Sequence, residues 1–337
     1  MSNLSILDEL AQKLKISSDQ IKFKRELTGT STAKVSEISW GKEKEGILKQ
    51  NTTKEEWIIY STLVKKYKLP VPKIIAISKT NEVPWILLEK IPKSIHPRSW
   101  NKEHIEKALK EVAKINAKFY NNPILDTLND LPIVNEENWN DIKRRLQNNI
   151  KKALKIAESH KGKTPLTKTN LETVRKDINS KDFLGRFLAA GRTLVHGGTW
   201  TYNFLQTDSK IYLLDWQESM IASPALDFIY FYDLLPIQAE GFRVKLVDRP
   251  FTLTEMQNIY FKELEKNKVK ISKSKFKQSL QASISFQIAH LWAPMLKPDV
   301  ILLRGGRYYI ARSLRLWPSR KTMRKHYSDL MEIRKSK

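Results

Sequence analysis

Residues 192–232 read RTLVHGGTWTYNFLQTDSKIYLLDWQESMIASPALDFIYFY, and the pattern of this segment is the most informative in the chain. Its pattern predicts a strand, a tight polar loop, two short strands joined by a turn, an acidic loop and then a helix. Apolar pairs flank three polar side chains at the predicted loop mouths, those of His196, Asn203 and Asp215. An amide and a carboxylate on adjacent loops suit a hard divalent cation and phosphate oxygens. Position 198, where such a loop would be expected to carry a carboxylate, is Gly198.

The composition is that of a folded globule. The chain of 337 residues has 41% hydrophobic residues and nine Trp, which predicts one two-lobed domain or two small ones. It has no cysteine, which excludes disulfides and thiolate metal sites and is compatible with a reducing cytoplasm. The first residues lack the apolar core of a signal peptide, and no run of about 18 apolar residues predicts a membrane span. We therefore expect a soluble, cytoplasmic protein.

The charge is large and uneven. Lys and Arg number 60 against 36 Asp and Glu, a net charge of +24. Residues 201–250 reverse the sign with 4 basic and 7 acidic residues, whereas residues 251–337 carry 19 and 6. An acidic segment inside a basic chain is typical of a metal site in a protein that attracts anions, although a Lys-rich surface that serves solubility alone is the alternative for most lysines.

The N-terminal part predicts strands. Val35–Trp40 alternates in polarity, and Gly46–Lys49 follows a charged turn, with a Thr/Ser-rich bend around Gly29 before them. Such a pair could lie over the phosphates of a nucleotide, or it could be an ordinary hairpin. Lys49 ends the second strand and Glu56 follows in a helical segment. A strand lysine paired with a helix glutamate can position a cation against phosphates, and two unrelated surface charges are the alternative.

A boundary is expected near residue 90. The apolar strand Trp85–Leu88 ends at Glu89, and a Pro/Ser-rich patch follows. Residues 1–90 therefore form a β-rich lobe, and residues 91–337 form a lobe whose apolar periodicity predicts helices over 105–119, 142–157 and 169–190. We also expect largely helical sequence after the opening stretch.

Three motifs in order, LVHGGTWTYNFL, YLLDWQES and SPALDFIYFY, resemble those of the aminoglycoside phosphotransferase and choline kinase-like families. Those families carry His-Gly-Asp, four residues, Asn, a strand ending in Ile-Asp-Trp, and then Pro-x-x-Asp-Leu. The resemblance covers roughly residues 20–235, and INAKFY matches a Leu-His-Ala helix with Asn116 at the His position. It implies a protein-kinase-like fold, an α+β architecture with a small antiparallel β lobe and a larger, mainly helical lobe.

The resemblance also implies roles in the loop region 194–218 and beyond. Asp215 would hold a Mg²⁺ ion that bridges the phosphates of ATP, and Asn203 would hold a second. His196 would orient the loop, and Asp227 would brace it through backbone amides, which makes both structural residues. The expected activity is transfer of the γ-phosphate of ATP to a hydroxyl of a small molecule.

Six residues are implied in nucleotide binding: Lys49, Glu56, Glu89, Ile91, Ser31 and Thr32. The lysine, fixed by the glutamate of the helix, would contact the phosphates. The backbone near the second glutamate and the isoleucine would bind adenine, and the two hydroxyl residues in the bend could approach the terminal phosphates.

One residue departs from the family pattern, because Gly198 stands where the family has its catalytic Asp. Without that base, the rate falls by about 10² to 10⁴. Four explanations are open: an inactive pseudokinase that still binds nucleotide, an enzyme that uses a substrate-borne or water-mediated base, a substitution in this copy of an ordinary enzyme, or a misassigned motif. Asp208 and Asp233 are possible substitute bases by proximity in sequence.

The charge bears on partners. A net charge of +24 repels polycations such as aminoglycosides, which favours a neutral or anionic hydroxylated acceptor. The alternative to an enzyme is a nucleotide- or anion-binding module, because the tail 291–337 interleaves basic residues with aromatics and could contact RNA or another phosphate-bearing surface. A basic helix end that closes the larger lobe explains the same pattern.

Overall fold

The computed structural model describes residues 3–27, 33–41, 43–128, 130–159, 164–240, 243–296 and 320–335. The chain divides into two compact units, the first formed by Met1–Ser99 with Tyr202–Ser219 and the second by Trp100–Thr201 with Met220–Lys337. Ser31 and Thr32 lie outside the described residues, as do residues 297–319 of the basic tail.

The first unit is built on a five-stranded antiparallel sheet. Its strands are β1 Ile21–Leu27, β2 Lys34–Trp40, β3 Lys44–Gln50, β4 Ile74–Ile77 and β5 Trp85–Glu89. Their order in the sheet is β1-β2-β3-β5-β4, so that β3 lies at the centre and pairs with both β2 and β5. A hairpin of β7, Phe204–Gln206, and β8, Ile211–Leu213, completes the unit.

The core of this unit lies on one face of the sheet. Helix α1, Asn3–Leu14, places Leu10 against a buried cluster that includes Ile38, Leu48 and Trp85. Helix α2, Lys54–Ile58, begins at an N-cap threonine whose side chain accepts the Glu56 N–H, and it continues through a π-helical turn into α3, Val64–Tyr67. Burial of these apolar side chains fixes helix α1 against the sheet.

The second unit is mainly helical. Its helices are α4 Lys102–Phe119, α5 Glu136–Ser159, α6 Lys168–Asn179, α7 Phe183–Phe187, α8 Pro224–Leu234, α9 Leu253–Lys266, α10 Lys273–Gln287, α11 Ala293–Met295 and α12 Arg320–Lys335. Helix α8 is buried along almost all of its length, and α4, α7 and α10 pack close to it or to one another. The strand pair of β6, Thr193–Val195, and β9, Met220–Ala222, brings the two ends of the 192–232 stretch together.

The antiparallel β-rich unit and the mainly helical unit confirm the predicted α+β, kinase-like fold class. Three local expectations differ. Ile21–Leu27 is a strand that the sequence did not single out. The single helix expected over 169–190 is two helices, because the chain turns at Ser180, and a hairpin of β10, Ile237–Glu240, and β11, Arg243–Leu246, occurs where helix was expected. The division at residue 90 stays a prediction.

None of the helices within the described residues is both long and apolar enough to cross a membrane.

Candidate active site

A lysine held by two carboxylates forms the centre of the first unit's polar cluster. The Nζ atom of Lys49 on β3 lies 2.7 Å from the carboxylate of Glu56 on α2 and 2.6 Å from Oδ1 of Asp215. The side chain of Glu56 is only 1% exposed, whereas that of Asp215 is 29% exposed. The cluster therefore has one buried carboxylate that fixes the ammonium and one carboxylate that solvent and ligands can reach.

The charges of this cluster depend on each other. Burial works to lower the pKa of Lys49, but the carboxylates of Glu56 and Asp215 outweigh it, and the pKa is raised above its ordinary value. Burial also raises the pKa of Glu56, and the lysine opposes that shift. The lysine is therefore a permanent cation at neutral pH, and it is the group that makes a buried glutamate tolerable.

Asp215 has an unusual backbone conformation. Its φ and ψ are 66° and 59°, the left-handed region that non-glycine residues seldom adopt. The residue follows strand β8, and the N–H of the preceding Leu214 donates to the carbonyl of Asn203 at 2.7 Å. The β7–β8 hairpin thus brings Asn203 and Asp215 to the same end of one small structure. Strained backbone of this kind often marks a site of function.

The donor set fits magnesium. Oδ1 of Asp215 accepts the lysine, while its Oδ2 makes no hydrogen bond within the described part of the chain. Mg²⁺ is commonly held by one or two protein oxygens together with phosphate oxygens and waters, because it gives up water reluctantly. One free carboxylate oxygen and the amide of Asn203 meet that requirement, and Asp215 and Asn203 could therefore hold the ion once phosphates are present.

The loop after β6 is braced from helix α8 in the second unit. The buried carboxylate of Asp227 accepts hydrogen bonds from the backbone N–H groups of His196 at 3.0 Å and Gly197 at 3.1 Å. It also accepts one from the side-chain amide of Asn116 on α4, at 3.0 Å. Burial raises the pKa of Asp227 to about 6, although these three donors each work to lower it. The residue acts on the backbone of the loop and is fully occupied in doing so.

His196 also orients the loop. Its side chain is buried, and Nδ1 accepts the backbone N–H of Gly198 at 3.1 Å. Gly197 has a positive φ of 76°, which favours glycine. The φ of Gly198 is not positive. The hydrogen bonds that hold the loop are therefore present although position 198 is a glycine and not the carboxylate residue expected there.

The segment after β5 contains the residues expected to bind adenine. Glu89 ends β5, where its N–H donates to the carbonyl of Lys73 at 2.9 Å and its side chain accepts the Lys73 N–H at 2.8 Å. Ile91 lies two residues further on and is half-buried. The backbone of Lys73 therefore holds Glu89 at both its N–H and its side chain.

The two aspartates considered as substitute bases have opposite environments. Asp233 on α8 is completely buried, and its carboxylate accepts hydrogen bonds from Gln287, Trp292 and His326. Asp208 is exposed in the turn between β7 and β8. Asp233 therefore faces three protein donors, which is the arrangement of a structural carboxylate.

The central strand of an antiparallel sheet carries a lysine that pairs with a helix glutamate, and a later hairpin presents an aspartate to the same lysine. This arrangement defines a kinase-like phosphotransferase. Residues 49–258 match the phosphotransferase enzyme family. The chain belongs to that family.

Solved structures have the same fold. A choline kinase from Cryptosporidium parvum is 14% identical, with a TM-score of 0.63 and coverage of 98% of this chain and 96% of that one. A putative aminoglycoside phosphotransferase from Ralstonia eutropha is 12% identical, with a TM-score of 0.62 and coverage of 99% and 98%. A spectinomycin phosphotransferase in complex with ADP and spectinomycin is 15% identical, with a TM-score of 0.54 and coverage of 93% and 92%. No curated protein sequence matches the chain significantly.

Proposed function

We propose that this protein binds ATP with Mg²⁺ and transfers the γ-phosphate to a hydroxyl group of a small molecule. The single observation that carries the proposal is the ammonium of Lys49, held between the buried Glu56 and the more exposed Asp215. A cation fixed in this way is suited to phosphate oxygens, because it does not have to reorganise when charge develops. The solved relative that contains ADP and spectinomycin supports a nucleotide and a hydroxylated acceptor.

Each remaining residue has a role in this proposal. Asp215 and Asn203 hold Mg²⁺, which neutralises charge on the transferring phosphate when it is bound. The backbone of Glu89 and Ile91 binds adenine, and Ser31 and Thr32 approach the terminal phosphates. ATP and Mg²⁺ are both available in the cytoplasm, and a cytoplasmic location is part of the proposal.

Gly198 limits the activity. The family's proton acceptor stands at this position, and glycine has no group that could accept the proton of the attacking hydroxyl. We therefore expect turnover about 10² to 10⁴ below that of an enzyme with the carboxylate. Asp233 does not replace it in our proposal, because its carboxylate is buried and already accepts three hydrogen bonds.

A second candidate is a nucleotide-binding protein without turnover. The observation that favours it is the intact loop scaffold around Gly198: Asp227 still holds the backbone amides, and His196 still accepts the Gly198 N–H. Binding of RNA or another anionic surface through the tail 291–337 has less support from the described helix α12. There, Arg324 donates to the Thr164 carbonyl and Arg334 pairs with Asp177, so two cations of the tail are occupied within the unit.

The net charge of the protein favours one class of acceptor molecule over another. The net charge of +24 favours a neutral or anionic hydroxylated molecule over a polycation, because the long-range field repels the latter. Micromolar binding of an aminoglycoside at physiological salt would contradict this part of the proposal, whereas phosphorylation of a neutral polyol or a hydroxy acid would support it.

Calorimetric titration with Mg·ATP tests the proposal. We expect the unmodified protein to bind, and Asp215→Asn to bind at least tenfold more weakly, since the neutral amide holds Mg²⁺ less well while it can still accept a hydrogen bond from Lys49. Asp208→Asn is the matched control, because Asp208 lies exposed in the same hairpin, and its affinity should not change.

Absence of nucleotide binding by the unmodified protein would end both candidate functions. If Mg·ATP binds, phosphate transfer in the Gly198→Asp variant distinguishes the weak enzyme from the inactive binder. A measurable rate in the unmodified protein that rises in the variant supports the enzyme, and a rate only in the variant supports the binder.

A further inference from the structure

The side chain of Asn116 has a single possible orientation. It is completely buried on α4, and one end lies 3.2 Å from the carbonyl oxygen of Leu194 and 3.0 Å from Oδ2 of Asp227. Both of these neighbours only accept hydrogen bonds, so the end that faces them is the Nδ2 donor. The other end, Oδ1, must then receive its hydrogen bond from elsewhere.

Tyr260 on α9 supplies that donor. Its phenol hydroxyl lies 2.7 Å from Oδ1 of Asn116, and the next acceptor, the carbonyl of Pro224, is 3.4 Å away. Tyr260 is fully buried, and burial together with the nearby Asp227 keeps its pKa well above the ordinary value, so the hydroxyl stays protonated. Its one proton goes to the amide at the shorter distance.

We propose that Tyr260 and Asn116 together are positioning residues for the loop 196–198, through the carboxylate of Asp227. The two acceptors fix which end of the Asn116 amide faces them, and the hydroxyl of Tyr260 locks the Oδ1 end at 2.7 Å, so that Nδ2 is held against both acceptors. A reversed amide would place Oδ1 against the Asp227 carboxylate and the Leu194 carbonyl, so that three acceptors would face one another without a donor. The lock therefore keeps Asp227 in place to accept the N–H groups of His196 and Gly197.

The hydrogen bonds of Asn116 connect helix α4 to the strand before the loop and to the carboxylate that holds the loop. Asn116 donates its two amide hydrogens to Leu194 on strand β6 and to Asp227, and Thr193, the first residue of β6, donates its hydroxyl to the backbone carbonyl of Asn116 at 2.7 Å. Helix α9 thus controls the loop through one hydroxyl, although Tyr260 is 144 residues from Asn116 in the chain. The importance of this geometry for phosphate transfer rests on the proposed function, but the geometry itself does not.

Hydrogen exchange of single backbone amides tests the lock without nucleotide. In Tyr260→Phe, we expect the amides of His196 and Gly197 to exchange about tenfold faster relative to those of helix α10, the change that corresponds to loss of about one hydrogen bond. Tyr230→Phe is the matched control, because its hydroxyl is also buried and hydrogen-bonded, to Nδ1 of His290 at 3.2 Å. It lies on the same helix as Asp227, yet it should leave the loop amides unchanged relative to α10.

Equal changes in the two variants, or an effect of Tyr260→Phe that is no larger at the loop than in α10, would overturn the proposal. A double variant with Asn116→Leu gives a second test, because the effect of Tyr260→Phe on the loop amides should vanish once the amide is gone. If Asn116→Leu does not fold, the comparison with Tyr230→Phe decides the question by itself.

A kinetic measurement connects the lock to the proposed activity. In a Gly198→Asp protein, Tyr260→Phe should lower kcat about tenfold and leave the KM for Mg·ATP unchanged, since the nucleotide phosphates are assigned to residues of the first unit. An equal rise in KM would indicate a general loss of structure and would contradict the positioning role. If the unmodified protein binds no Mg·ATP, the proposed function fails, and the exchange measurement still decides whether Tyr260 positions the loop.

Discussion

Gly197 and Gly198 are adjacent in one loop, but only Gly197 has a positive φ, of 76°. The first glycine is therefore required by the backbone, because a Cβ in the left-handed region costs roughly 1 kcal/mol or more, whereas the conformation of the second is open to other residues. The φ angle at position 198 thus does not require glycine.

The first prediction follows from this difference. The free energy of unfolding of Gly198→Asp should lie within about 1 kcal/mol of that of the unmodified protein. The same substitution should raise the rate of phosphate transfer by about 10² to 10⁴ if the rest of the site is competent. Urea unfolding and a coupled assay for ADP formation measure the two effects. Gly197→Ala is the companion variant: it should lose about 1 to 2 kcal/mol of stability because alanine is strained at this φ. Equal stability loss in the two variants would show that Gly198 is also structurally required.

The second prediction concerns the buried ion pair. Lys49→Met should lower the free energy of unfolding by about 3 kcal/mol, because it leaves the Glu56 carboxylate, 1% exposed, without its cation. Glu56→Gln in the same chain should recover part of that loss by removing the uncompensated charge. Urea unfolding of the single and double variants checks this, with Lys90→Met as a control for a more exposed lysine that also contacts two carboxylates. A double variant less stable than Lys49→Met would contradict the assignment.

The third prediction is a pH dependence with a definite sign. Burial raises the pKa of Asp227 from 3.8 to about 6, so between these values the folded protein takes up a proton that the unfolded chain releases. The contribution of Asp227 to stability is therefore greatest below about pH 4 and falls as the pH rises to 6, by at most roughly 3 kcal/mol. The difference in unfolding free energy between the protein and Asp227→Asn should change by this amount between pH 4 and 7. A difference that does not vary with pH would exclude a raised pKa.

Asp182 provides a comparison of opposite sign for the same experiment. It is exposed, and hydrogen bonds from Ser180 and Arg186 lower its pKa. The stability that Asp182 contributes should therefore be present at neutral pH and be lost as the pH falls. Asp182→Asn should remove this contribution to the slope of unfolding free energy against pH, whose sign is opposite to that of Asp227.

The fourth prediction separates a structural carboxylate from a catalytic one. Asp233→Asn should cost about 3 kcal/mol of stability, because the amide cannot accept the hydrogen bonds of Gln287, Trp292 and His326 together. Urea unfolding measures the cost, and Asp208→Asn, in an exposed turn, should change stability by less than about 0.5 kcal/mol. Loss of phosphate transfer in Asp233→Asn with unchanged unfolding would instead make Asp233 the substitute base.

The sequence predicts much of the fold because its local patterns are strong. The polarity alternation in residues 35–40 and the apolar run at 85–88 lie within strands β2 and β5. Strand β1 escaped because five of its seven residues are exposed, so Ile21–Leu27 shows no clear buried face. The hairpin β10–β11 was missed for a related reason: it is a short two-stranded element within a region of helical periodicity.

The residues of the site could be predicted only where they belong to a recognisable sequence motif. The resemblance paired Lys49 with Glu56 seven residues later, but periodicity gives no information on the contact with Asp215, which is 166 residues away in the chain. Asn116 stood out as a departure from a family histidine. Tyr260 carried no signal, because a tyrosine on the apolar face of a helix is ordinarily a core residue, and its partner is chosen by tertiary packing alone.

The first unit can be completed only after a later segment of the chain has been synthesised. Lys49 and Glu56 emerge early from a ribosome, whereas Asp215 lies in the segment Tyr202–Ser219, which begins roughly 100 residues after Ser99. At translation rates of about 5 to 20 residues per second, this delay is on the order of ten seconds. During that interval the nascent sheet lacks the β7–β8 hairpin and the lysine lacks its second carboxylate. Chaperone capture during synthesis should therefore be strongest before residue 219 has left the exit tunnel.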